Sequence, residues 1–241
     1  MPSYQLHLAS IAGVDNGPAL IAAVKEYAEG QKAVDGNYVV LTVDGGERAV
    51  TMNLAYCTAK KITIVRPSSG DKSTSKSPDL GMDVDQVGVA IPLTIAISTS
   101  AGRLKTCGPG VRSLEMANEF LAGALAWPVL SNPIAVDIEK AIDHLVANTE
   151  RTMIRAASVS DYSHNSYMIG GYAPKFLDSQ HGLDFAHEYI EAVTSVSVQF
   201  AGPTGKVSVK LTGSASFSFS CQEDDRPYVE GMLTKLAGWK S

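Results

Sequence analysis

Apolar and polar residues alternate most strictly in the last third of the chain. In TSVSVQF, Val196, Val198 and Phe200 fall on one side of an extended strand, and Ser195, Ser197 and Gln199 fall on the other. AGPTG supplies turn residues. KVSVKLTG then sets Val207, Val209 and Leu211 against Lys206, Ser208, Lys210 and Thr212, and SASFSFSC sets Ala215, Phe217, Phe219 and Cys221 against a row of serines. Three such runs on short links predict an antiparallel meander with one buried face and one polar face. The period then becomes helical: Val229, Met232, Leu233, Leu236 and Ala237 form one stripe, with Asp224 or Asp225 as the cap and Pro227 in the first turn.

The first half has a looser version of this grammar. NYVVLTVDGGERAVTMNLAYC predicts a hairpin turning at Asp44-Gly45-Gly46, KKITIVRP a further short strand, and SSGDKSTSKSPDLG a loop. IPLTIAIS alternates again. In VRSLEMANEFLAGALAW, Leu114, Ala117, Leu121, Ala124 and Leu125 line one helical stripe, which Pro128 ends. After the elbow WPVLSNP, a second helix in VDIEKAIDHLVA carries Ile138, Ala141, Ile142, Leu145 and Val146. GPALIAAVKEYAEG predicts a helix near the N-terminus, whereas TERTMIRAASVSDYSHNSYMIGGYAPKF has no clean period and is expected to be irregular, with room for one strand.

Strands leading into an amphipathic helix that closes on tryptophan thus occur twice, at residues 36–127 and 194–239, with Trp127 and Trp239 as expected packing anchors. The expected division is a strand-rich unit over 1–150 ending in two helices and a second over 151–241 ending in one helix. A single intertwined domain is the other arrangement, and a true repeat and a coincidence of two terminal helices both stay open.

Composition narrows the function classes. With 241 residues, 45% hydrophobic and 19% charged, the chain is a folded protein with a sizeable core. A net charge of −5 gives no general footprint for nucleic acid, so a polyanion would have to meet a local basic face. Cys57, Cys107 and Cys221 lack CxxC spacing, which argues against a disulfide framework or a zinc site and for buried structural thiols. MPSYQLHLASIAGVDNG has no basic region ahead of a long apolar run, and no segment is long enough to span a membrane. A cytosolic, unprocessed chain without membrane contact is therefore expected.

Three places carry candidate chemistry. His164, Asp184 and His187 lie in one segment, and Asp184 and His187 would share a helix face, where they could hold a metal or share a proton. No HExxH or GxSxG motif accompanies them, and surface histidines with ordinary hydrogen bonds are the simpler account. Glycines in GYAPKF and CGPGVRS precede helix starts, where free N–H groups can meet phosphate, but they match no nucleotide fingerprint. The third place is the polar sheet face: Lys206, Ser208, Lys210, Thr212, Ser195, Ser197 and Gln199, with Lys60, Lys61 and Arg66 added from the first half. Lysines among small hydroxyl residues suit phosphate and sugar contacts, while a solvated strand face would use the same residue types.

The passages LTIAIS, EFLAGALAWP and IAVDIEKAID, and again SASFSFSCQEDDRPYVEGMLTKLAGW, resemble the C-terminal part of the coat proteins of single-stranded RNA bacteriophages. In that family a strand of alternating residues runs through a polar turn into a helix, and a second helix closes the subunit. Subunits of that family are shorter than this chain, so the resemblance implies either a fused tandem or one enlarged subunit. It implies an α+β fold, an antiparallel β-sheet with amphipathic helices packed on one face. It also implies a non-enzymatic virion protein, present in the host cytoplasm during assembly, that forms dimers and then a shell. Single-stranded RNA would lie on the sheet, at Lys206, Ser208, Lys210, Thr212, Ser197, Gln199 and Lys61, with no cofactor and no metal. The alternative is a small α+β enzyme or ligand-binding protein with a His/Asp site around residues 164–188.

Overall fold

The computed structural model describes residues 1–31, 36–67, 80–109, 112–165 and 168–238, and along 60–67, 80–87, 161–165 and 168–169 it describes the backbone alone. Eleven strands and five helices follow one another as β1 (Ser3–Ile11), α1 (Gly17–Glu29), β2 (Tyr38–Gly45), β3 (Ala49–Pro67), β4 (Leu80–Ser98), β5 (Arg103–Gly108), α2 (Ser113–Leu125), β6 (Ser131–Pro133), α3 (Ile138–Asn148), β7 (Glu150–Asn165), β8 (Met168–Tyr172), α4 (Ser179–Glu188), β9 (Val193–Ala201), β10 (Lys206–Thr212), β11 (Ser216–Ser220) and α5 (Arg226–Leu236). All the strands join one sheet in the order β2-β3-β4-β5-β1-β11-β10-β9-β7-β8, with β6 also paired to β1. Every pairing is antiparallel.

The first strand holds the centre. β1 lies between β5 of the first half and β11 of the second, and it belongs to both cores. Tyr4, Leu6 and Leu8 join the cluster of Val198, Phe200, Val209, Phe217, Phe219 and Leu233. Ala9 and Ile11 join the cluster of Met52, Leu54, Ile95, Ile97, Phe120 and Leu121. Alternate residues of a strand point to opposite faces. The helices therefore do not pack on one face: α3, α4 and α5 cover the second half on one side, and α1 and α2 cover the first half on the other. The one-sided packing that the resemblance implied is corrected here, because the parity of β1 fixes which core each half feeds. The stretches expected at 1–150 and 151–241 meet within this one sheet, and α3, from the earlier stretch, packs on the core of the later one.

Local signals account for most elements. Asn16 caps α1 by accepting from the Ala19 N–H at 2.9 Å, Asp137 caps α3 through Lys140 and Asp178 caps α4 through His181. The β2–β3 hairpin closes at Gly45, whose φ of 148° suits glycine alone. The C-terminal helix starts differently from expectation. Asp225 is fully buried and gives no side-chain cap; its Oδ1 accepts instead from the Thr204 N–H at 2.8 Å, which ties the β9–β10 turn to the helix start.

Three other expectations change. KKITIVRP is no separate strand but the end of β3, which pairs with β4 without interruption from Ala49↔Ser98 to Pro67↔Leu80. Beyond Cys57 on one side and Thr94 on the other these strands have no outer neighbour among the described residues, so they continue as a two-stranded ribbon. The irregular segment is a hairpin, β7–β8, whose three register shifts against β9 spoil the alternation. Trp127 is 49% exposed, with its indole beside Gly13, so it is no core anchor; α2 ends just before it at Ala126, which is in the left-handed conformation. Trp239 lies outside the described residues.

The C-terminal helix also stitches the two halves. Lys105 of β5 meets Glu230 at 3.3 Å, and Arg226 holds Glu230 at 2.8 Å. The same guanidinium lies 4.8 Å from the Tyr4 ring centre and donates to Cys107 Sγ at 3.6 Å. Burial, aided by Glu230, pushes the Cys107 thiol up to about 12, which makes it a structural rather than a reactive cysteine.

Candidate nucleic-acid interface

The polar side of β9, β10 and β11 is assembled by register. Ser208 sits opposite Gln199 and Ser220, Lys210 opposite Ser197 and Ser218, and Thr212 opposite Ser195. β1 extends the surface with Gln5 opposite Ser218 and His7 opposite Ser216. Helices cover this half only from the far side, so Lys206 and Lys210 are exposed, while Ser197, Gln199, Ser208 and Thr212 are half-buried within the sheet.

Hydrogen bonds order the surface into rows. Gln199 donates to Ser208 Oγ at 3.1 Å and accepts on Oε1 from both Nε and Nη2 of Arg155, at 3.0 and 2.9 Å. Gln5 and Ser218 exchange bonds at 2.6 and 3.0 Å, and Ser216 meets His7 Nδ1 at 2.8 Å. Burial lowers the His7 pKa and keeps the ring neutral, while its Nε2 is among the buried polar atoms without a partner among the described residues. Thr212 is spent locally, since its hydroxyl bonds the carbonyls of Ser214 and Ser216. That leaves Lys206, Lys210 and Arg155 as the groups free to meet a ligand's charge.

No aspartate or glutamate occurs in β1, β9, β10 or β11. Among the described residues Lys206, Lys210, Arg151 and Arg155 form no ion pair, whereas Lys105, Arg112, Lys140 and Arg226 each face a carboxylate. Lys25, Arg48, Lys175 and Lys235 also form no ion pair among the described residues but lie scattered on other elements, whereas Lys206 and Lys210 share one face of β10, with no carboxylate in β1, β9, β10 or β11.

The structure brings together six of the seven sequence-derived residues: Lys206, Ser208, Lys210, Thr212, Ser197 and Gln199. Lys61 is not with them. It pairs with Gln86 on the β3–β4 ribbon, with β4, β5, β1 and β11 lying between β3 and β10, and its side chain lies outside the described residues. Reading the sequence missed Arg155, Gln5 and His7, because β7 and β1 were not recognised as strands. The signal at β1 was present, since Tyr4, Leu6 and Leu8 alternate with Gln5 and His7, but the run is short and stands at one end of the chain, far from the other strands of the face.

The histidine segment does not converge. Asp184 accepts from Gln180 at 2.7 Å, and His181 pairs with Asp178 at 2.6 Å. His187 lies 3.8 and 3.7 Å from Glu139 and Asp143 of α3 rather than against Asp184. The His164 side chain is outside the described residues, and among those described no three His, Cys, Asp or Glu side chains are grouped to hold a metal. No helix among the described residues is long and apolar enough to cross a membrane. No protein family matches the chain, and no curated protein matches it either.

Proposed function

We propose that this chain is a non-enzymatic structural subunit of the RNA-phage-coat kind, which assembles with copies of itself and holds single-stranded RNA on the open face of β1, β11, β10 and β9. The observation that carries this reading is that β1, β9, β10 and β11 carry no carboxylate while Lys206 and Lys210, with Arg155 of the adjoining β7, have no ionic partner among the described residues. Phosphates supply the charge such a face lacks, and its rows of serine, threonine and glutamine offer donors and acceptors to sugars and unstacked bases. Self-assembly is supported by the outer strands β2 and β8, each paired on one side only among the described residues, and by the β3–β4 ribbon. Because α1 and α2 stand on the same side as this face, RNA would run beside them and be confined to the second half. Function in a virion, and in the host cytoplasm during assembly, belongs to the same proposal.

Expression followed by electron microscopy and ultraviolet absorbance tests it. Uniform shells that absorb as nucleoprotein are expected, and a monodisperse monomer free of nucleic acid would overturn the proposal. The double variant Lys206→Glu/Lys210→Glu should retain less RNA, with a salt slope smaller by ~0.7 for each phosphate that is no longer neutralised, and should keep its circular dichroism.

A further inference from the structure

Beside the polar face, the start of β7 and the β9–β10 turn enclose an open hollow of about 610 Å³. Arg151, Arg155 and Lys206 line it, with Met153 between the two arginines. Two of the five guanidinium donors of Arg155 are spent on Gln199, which fixes the side chain and leaves the other donors free. Arg151 is held at a φ of 53°, in the left-handed region that glycine adopts freely and other residues adopt at a cost. A β-bulge causes this, since β7 spends three steps from Glu150 to Met153 while β9 spends two from Ala201 to Gln199. A strained non-glycine residue at such a position is a pointer to use of its side chain.

The opposite wall is backbone. Gly202 approaches the buried Asp225 so closely that a Cβ would lie 2.8 Å from Oδ2, and Asp225 Oδ1 holds the Thr204 N–H. The turn is therefore fixed from behind while its outer side faces the cations. Arg151 and Arg155 are four residues apart on a strand, about 13 Å at ~3.3 Å per residue. Three cations spread along this length carry more positive charge than one compact anion would balance.

We infer that this hollow docks consecutive phosphates of an extended polyanion, with Arg151, Arg155 and Lys206 as the groups that hold them. The inference rests on the nucleic-acid reading for the source of the chain, single-stranded RNA; inorganic polyphosphate offers the same chemistry from another source. The full-length protein is titrated against a labelled single-stranded oligouridylate, against inorganic polyphosphate and against inorganic phosphate, over a range of salt. Arg151→Gly and Arg155→Ala should each weaken RNA binding several-fold and lower the salt slope by ~0.7, while Lys25→Ala on α1 leaves it unchanged. Glycine suits the backbone at 151, so Arg151→Gly should melt no lower than the wild type, which separates lost binding from lost folding.

Wild-type RNA binding that both variants preserve overturns the hollow and leaves the sheet-face reading standing. Polyphosphate held without RNA, and released by Arg151→Gly, supports the hollow and overturns the RNA reading. Inorganic phosphate held as tightly as either chain overturns the requirement for consecutive phosphates, and a wild type that holds none of the three overturns both.

Discussion

The two halves of the sheet each leave one face uncovered, and the two faces differ in charge although they are built alike. On the first half, Asn53 accepts from Thr94 at 3.0 Å and donates to Thr42 at 2.8 Å, within a surface of threonine and alanine that carries Asp44 opposite Thr51. The cations nearest that surface are taken up by the C-terminal helix: Lys105 by Glu230, and Arg103 by the Gly238 carbonyl at 2.8 Å. On the second half no helix reaches across, and Lys206, Lys210 and Arg155 have no ionic partner among the described residues. The difference is one of partners more than of composition. A lysine in a strand becomes an interaction group only where the fold supplies no carboxylate for it.

The largest effect should come from testing whether the halves are independent bodies. Phe217→Ala removes a fully buried ring from the second core and should cost about 3–5 kcal/mol. Because β1 feeds both cores, the expected outcome is one shifted transition by tryptophan fluorescence and by circular dichroism alike. Two separated transitions would show that the halves melt on their own.

Next in size is the seam itself. Glu230 is largely buried between Arg226 and Lys105, so Glu230→Ala should destabilise by about 3 kcal/mol through the cations it leaves behind. Burial alone would raise the Glu230 pKa, but Arg226 and Lys105 bring it below 4.5. Its stabilisation is thus complete above pH 4.5 and disappears as the pH falls through the lower folded value. Glu230→Gln should lose that acid dependence, and an unchanged acid unfolding curve would count against the seam.

The smallest effect concerns His7, where the polar face meets the central strand. Burial holds its pKa below 6.5, so the unfolded chain takes the proton first. Stability should be full above pH 6.5 and decline gently as the pH drops towards the folded value. His7→Gln, measured by denaturant titration between pH 7 and pH 5, should flatten that slope.

Sequence periodicity reveals elements whose two faces differ. Val207, Val209 and Leu211 against Lys206, Ser208 and Lys210 fix a strand and its solvent side together, and most of the candidate face follows from that. α5 is legible for the same reason: Val229, Met232 and Leu233 are all buried. Where bulges break the period, as between Ile154 and Ala156, the pattern fails and Arg155 is lost with it; at β1 the alternation of Tyr4, Leu6 and Leu8 with Gln5 and His7 is there, but nothing local says that this short run pairs with β11, where His7 meets Ser216 across 209 residues. The side each set of helices takes was not legible, because it depends on which residues of β1 meet which core. That is a property of pairing between distant segments.

The central place of β1 sets the timing of folding. Gln5 bonds Ser218 across a separation of 213 residues, so β1 cannot complete its pairing until the residues between them have been made. At ~5–20 residues per second that delay is tens of seconds or less, during which an apolar strand has only one of its two main neighbours available. Such long-range pairing predicts slow folding by contact order. It also makes the N-terminal strand the segment for which a chaperone, or another nascent copy, has most time to compete.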